Sequence, residues 1–184
     1  MAKEIVKTCC LSALLMVSSA VTAKEALEKQ WENWDEVGEA QLTVFIFDVY
    51  QSRLLTPSGE YISQQDITPH PLALNIQYQR DISSQQLLEA TEGEWEKLGF
   101  NRGDIQRWSR NLAKIFPDIK DGQELTYVTD GNSGRFYYNP AQNQDITMIG
   151  EIANESLNDA FLSIWLSPDT SYPELRKQLI GKAR

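Results

Sequence analysis

The chain has 184 residues, a formal net charge of −9 and one histidine. So acidic a chain, with no basic cluster, repels nucleic acid and anionic lipid head groups. One histidine cannot build a two-histidine zinc site, and His70, between Pro69 and Pro71, reads as a loop residue, so neither metal nor cofactor is expected.

The first residues, "MAKEIVKTCCLSALLMVSSAVTA", carry a basic head (Lys3, Lys7), a short apolar core from Cys9 to Val17, and the small-x-small triplet Val21-Thr22-Ala23. That is the layout of a secretory signal over residues 1–23, and it predicts a periplasmic or secreted chain beginning near Lys24. The apolar core is far short of the roughly 20 residues that cross a bilayer, so no membrane span is expected in the mature protein. Cys9 and Cys10 are the only cysteines, which leaves the mature chain without disulfide or thiol chemistry. What remains is one domain's worth of chain, a charged lead-in over 24–36 followed by a domain over 37–184.

Val37 to Tyr50 reads as a single long strand. Leu42, Val44 and Ile46 fall on one face, and Thr43, Phe45, Phe47 and Val49 on the other, so the strand is expected to be covered on both sides. Asp48 lies within it. A buried carboxylate needs a partner, for which Arg80 or a tyrosine hydroxyl is the candidate, or else a function. "TPSGEYISQQDITPHP" is a connecting loop with a short strand around Tyr61. "LALNIQYQR" then alternates strictly and predicts a half-buried strand, with Leu72, Leu74, Ile76, Tyr78 and Arg80 on one face. An arginine at the end of such a face can clamp a carboxylate with two hydrogen bonds.

Ser83 with Gln86 forms a capping box, and Ile82 with Leu87 a hydrophobic staple. The helix they open presents Leu87, Leu88, Thr91, Trp95 and Leu98 and ends at Gly99. A second helix carries Ile105, Trp108, Leu112, Ile115 and Phe116 and stops before Pro117. "ELTYVTDGNSGRFYYN" is a hairpin, and Ile146 to Ile152 a further strand. Ser156 begins a helix with Leu157, Ala160, Phe161, Ile164 and Trp165 on one face; Ser171 and Glu174 cap the last one, which has Pro173 in its first turn and Gly181 at its end. Strands, helices, strands, helices in that order give an α+β fold, an antiparallel sheet with helices packed on it. The acidic pairs Glu92 with Glu94 and Asp118 with Asp121 read as solvated charge on helix surfaces or in turns.

"VGEAQLTVFIFDVYQSRLL", "LALNIQYQRDISSQQLLEATEGEWEKLG", "IFPDIKDGQELTYV", "GRFYYN" and "FLSIWLSPDTSYPELRKQLIG" resemble, in that order, the bacterial chalcone isomerase-like proteins. The resemblance implies a large antiparallel sheet with helices on one face and a ligand cleft between them. It also argues against the plant reaction, cyclisation of a chalcone to a flavanone. Laid on the plant pattern, the catalytic threonine falls at Phe45, the tyrosine at Ser83 and the asparagine at Ala90, and "WENWDEVGEA" holds no arginine. No catalytic residue is carried over. Non-catalytic relatives are associated with fatty-acid binding through an arginine and a tyrosine. The resemblance thus implies a carrier of a hydrophobic carboxylate, with Arg80, Tyr78, Asp48, Tyr50 and Tyr137 as candidate ligand-binding residues. The alternatives are an isomerase or lyase with Asp48 as general base, and a module that binds another envelope protein through its helix faces.

Overall fold

The computed structural model describes residues 30–62, 66–140 and 144–182. The expected secretory signal, with Cys9 and Cys10, lies outside the described residues. The chain divides at Asn33 into two units. Of the first, the described part is one 3-10 turn, Gln30–Asn33.

The second unit is built on a six-stranded sheet. Its strands are β1 (Asp35–Val44), β2 (Phe47–Thr56), β3 (Leu72–Tyr78), β4 (Glu124–Thr129), β5 (Gly134–Asn139) and β6 (Thr147–Ile152), in sequential order and antiparallel throughout. Helices α1 (Ser84–Lys97) and α2 (Arg102–Leu112) lie between β3 and β4 in the chain; α3 (Glu155–Leu166) and α4 (Pro173–Leu179) follow β6.

Pairing aligns one face of the sheet. Leu54 stands opposite Leu74, Leu74 opposite Tyr127, and Tyr127 opposite Phe136. All four are essentially inaccessible to solvent and share one core with the buried faces of the helices. Trp95 of α1 donates its indole N–H to the Ala160 carbonyl of α3 at 2.7 Å, and Phe161 of α3 packs edge-on against Tyr127, Phe136 and Trp165. At the β1 edge, α4 comes so close that a Cβ on Gly38 would stand 2.2 Å from the Gln178 carbonyl oxygen, a contact only glycine permits.

Local signals formed most of these elements. The Ser83 hydroxyl accepts from the Gln86 N–H, and the Gln86 side chain accepts from the Ser83 N–H at 2.9 Å, completing the box. Such a cap is worth about 1 kcal/mol. Asp118 satisfies a further orphan of this helix, accepting from the Ser84 N–H at 2.8 Å. In the β4–β5 turn the Asp130 carboxylate accepts from the N–H groups of Asn132 and Ser133.

Five expectations change. The run from Val37 to Tyr50 is two antiparallel arms, not one strand. The chain reverses at Phe45–Ile46, with Val44 opposite Phe47 and Phe45 at a φ of 57°. The arms were expected to be covered on both sides, yet Phe45, Ile46 and Phe47 are 96, 85 and 60% exposed. Conversely β3, expected to be half-buried, is closed on both faces, because its position inside the sheet also buries Ala73 and Asn75. Ser171 caps nothing: Tyr172 holds the N-cap position of α4 without a side-chain bond, and Pro173, which has no N–H, removes one of the donors a cap would serve. Finally, Tyr61 is outside any strand and donates its hydroxyl to the Ile67 carbonyl.

Candidate functional site

Where β2 and β3 run beneath α1 and α3, the packing leaves a cleft of about 340 Å³. That volume lies at the lower end of the roughly 300–1,000 Å³ typical of small-molecule sites. The wall is mostly apolar. The sheet supplies Leu42, Val49 and Ile76, α1 supplies Leu87, and α3 supplies Phe161 and Ile164.

Few polar groups enter it. Tyr50 and Tyr78 stand opposite each other on β2 and β3, with rings edge-to-face at 6.0 Å. The indole N–H of Trp165 donates to the Tyr50 oxygen at 2.8 Å, which leaves the Tyr50 hydroxyl hydrogen for another acceptor. Tyr78 is 4% exposed and lines the cleft, and its hydroxyl has no hydrogen-bond partner among the described residues. Burial pushes both phenols well above the ordinary tyrosine value, so both remain protonated donors at physiological pH. The Tyr78 ring is buried while its hydroxyl opens onto the cleft, the arrangement a ligand entering the cleft would complete.

A second polar group lies on the helix side of the cleft. The Glu94 carboxylate, on α1, accepts from Lys97 at 2.8 Å and from the Tyr172 hydroxyl at 3.2 Å; all three residues line the cleft. Glu94 is 8% exposed, so it is not the solvated surface charge the sequence suggested. The three-residue spacing of Glu94 and Lys97 on one helix was the available signal. Tyr172, far off in the chain, carried none.

The remaining candidates lie elsewhere. Arg80 follows the end of β3, is exposed, and neither lines the cleft nor pairs with Asp48. Asp81, beside it, accepts from Lys120 at 2.9 Å. Asp48 is exposed near the hairpin tip and accepts from the Thr43 hydroxyl at 2.6 Å. Tyr137 is buried, but it stands opposite Thr126, which in turn stands opposite Asn75, and that row belongs to the other face of the sheet. On that face Arg53 donates to Asn75, and Asn75 to Glu124 and Thr126, a polar network that satisfies itself. Of the positions laid on the plant catalytic residues, Phe45 is at the hairpin tip, Ser83 is occupied as a helix cap, and Ala90 lines the cleft without a polar group.

Residues 21–181 match the family described as chalcone isomerase-like. An uncharacterised protein of Haemophilus influenzae is 29% identical over 152 residues, which cover 83% of this chain and 70% of that protein. The family match spans the whole sheet and every helix that walls the cleft, and the chain belongs to the chalcone isomerase-like family.

Proposed function

We propose that the protein is a non-catalytic carrier, exported to the periplasm or secreted, that holds a small hydrophobic molecule in the cleft between sheet and helices. The molecule's carboxyl or carbonyl oxygen accepts from Tyr78 and Tyr50. The observation that carries this reading is the pair Tyr50 and Tyr78, two protonated phenols side by side on the wall of an apolar cavity, with the Tyr78 hydroxyl open to it. Trp165 strengthens the second donor: an indole N–H donated to the Tyr50 oxygen polarises its O–H toward an acceptor. The arginine clamp of the fatty-acid-binding relatives is replaced here by phenols, so the head group binds as a hydrogen-bond acceptor and gains nothing from a buried cation. Export rests on the three-part layout of residues 1–23. The enzymatic alternative has less support, since its general base, Asp48, points to solvent at the hairpin and not into the cleft.

The test is native mass spectrometry of the protein purified under gentle conditions from its own cells, followed by displacement of anilinonaphthalene sulfonate in vitro. The expected result is a mass excess released by organic solvent, and displacement by dodecanoate at lower concentration than by an alkane of equal length. A clean apo mass together with no displacement by either compound would refute carriage. Equal displacement by both would refute the role of the tyrosines.

A further inference from the structure

The β1–β2 hairpin ends in four consecutive apolar residues, Val44, Phe45, Ile46 and Phe47, exposed by 41, 96, 85 and 60%. Among the described residues the end stands free. The last residues of β2 paired with β3 are Tyr50 with Tyr78, and Gln79 bonds back to Val49, so nearer the tip the hairpin arms pair only with each other. Phe45 also holds a φ of 57°, a conformation that glycine adopts without strain and phenylalanine does not. Val44 and Val49 line the cleft, so one apolar surface runs from the tip to the cavity wall.

We propose that this tip is a wedge that inserts into a zwitterionic lipid bilayer and seats the cleft mouth at its surface. Three points favour a bilayer as occupant. With roughly 150–250 Å² per aromatic side chain, the four residues expose on the order of 500 Å², short of the roughly 800 Å² per partner that a stable protein interface buries. The patch is a projecting end and not a flat face, and a few apolar side chains are enough for reversible insertion at an interface. The net charge of −9 repels anionic lipid, so the head groups are zwitterionic. Asp48 and Thr43, bonded to each other just behind the wedge, would lie at head-group depth. Docking does not depend on what the cleft carries, and it is read at a different place in the molecule.

The test places an environment-sensitive nitrobenzoxadiazole label on Ile46→Cys or Met148→Cys in the full chain, with Cys9 and Cys10 replaced by serine. Met148 is a control, 47% exposed on β6 at the opposite edge of the sheet. On addition of phosphatidylcholine vesicles, emission at position 46 shifts to the blue and emission at position 148 does not. Phe45→Asp with Phe47→Asp weakens vesicle binding roughly tenfold or more. Phe45→Gly weakens it several-fold while raising the melting temperature, which separates lost insertion from lost folding. No shift at position 46, or the same shift at both positions, overturns the proposal. So does a shift that grows with protein concentration in the absence of vesicles, which would assign the tip to a second copy.

Discussion

Tyr78→Phe removes one oxygen from the cleft wall and should weaken binding while leaving stability nearly unchanged. In the folded protein the hydroxyl makes no hydrogen bond to any described residue, whereas in the unfolded chain water satisfies it. Its removal therefore sacrifices no bond to a described residue, and because the hydroxyl opens onto the cleft stability changes by no more than about 0.5 kcal/mol. For a domain of this size that is a change of at most about 2 °C in Tm. A bound acceptor loses a bond worth about 0.5–1.5 kcal/mol, roughly a two- to tenfold fall in affinity. Tyr50→Phe is the contrast: the Trp165 N–H loses its acceptor inside the protein, and stability drops by about 1–3 kcal/mol. Thermal melts followed by circular dichroism, with displacement titrations on the same preparations, measure both quantities. A Tyr78→Phe variant destabilised by more than 1 kcal/mol would show that the hydroxyl has a partner in the folded chain. Unchanged affinity would remove it from the ligand's contacts.

Asp48→Ala should cost less than about 1 kcal/mol, since only an exposed bond to Thr43 is lost; a buried pair with Arg80 would have made the loss roughly 3 kcal/mol, and urea titration separates the two. Asn158→Leu should destabilise by about 2–3 kcal/mol, because the buried Tyr127 hydroxyl loses its acceptor at 2.8 Å and Thr68 loses a donor; a melt within 1 °C of wild type would refute this. The N–H groups of Ser133 and Asn132 hold the Asp130 carboxyl below the ordinary aspartate value. Its stabilising contribution is therefore complete above the ordinary value and is lost as the pH falls through the lower, folded one. Asp130→Ala should be less stable at neutral pH and should lose less stability on acidification than wild type, as read from melts between pH 7 and pH 2.

Elements set by neighbours in the chain were legible from the sequence. Ser83 and Gln86 fix the start of α1, Gly99 with a φ of 82° ends it, and Asp130 to Gly134 turn β4 into β5 by bonds spanning a few residues. Such signals act through local backbone geometry, so their residue types announce them. The β1–β2 reversal had no announcement. Phe45–Ile46 contains none of the residues that favour a tight turn, and the one-residue slip in alternation at the two-residue loop is undone by the register shift between Leu42 and Thr43, so from Leu42 and Tyr50 outward hairpin and long strand read alike. Only the pairing of Leu42 with Tyr50 and of Ala40 with Ser52 decides it.

The cleft belongs to the same second kind. Its two tyrosines lie on adjacent strands, and Tyr78 was legible as an inward residue of an apolar face. That its hydroxyl would be left unpaired, that Trp165 would reach Tyr50 across 115 positions, and that Tyr172 would meet Glu94 across 78 follow from how helices settle on a sheet. Arg80 lies off the cleft for a related reason: it kept the strand's alternation, but pairing ends at Tyr78 and the chain leaves the sheet before it. By itself the sequence determined which segments become strands and helices and where most of them stop, because backbone propensity and capping act over one or two turns. The tertiary structure alone decided which polar groups converge, since hydrogen bonds between distant segments exist only once the apolar faces have packed.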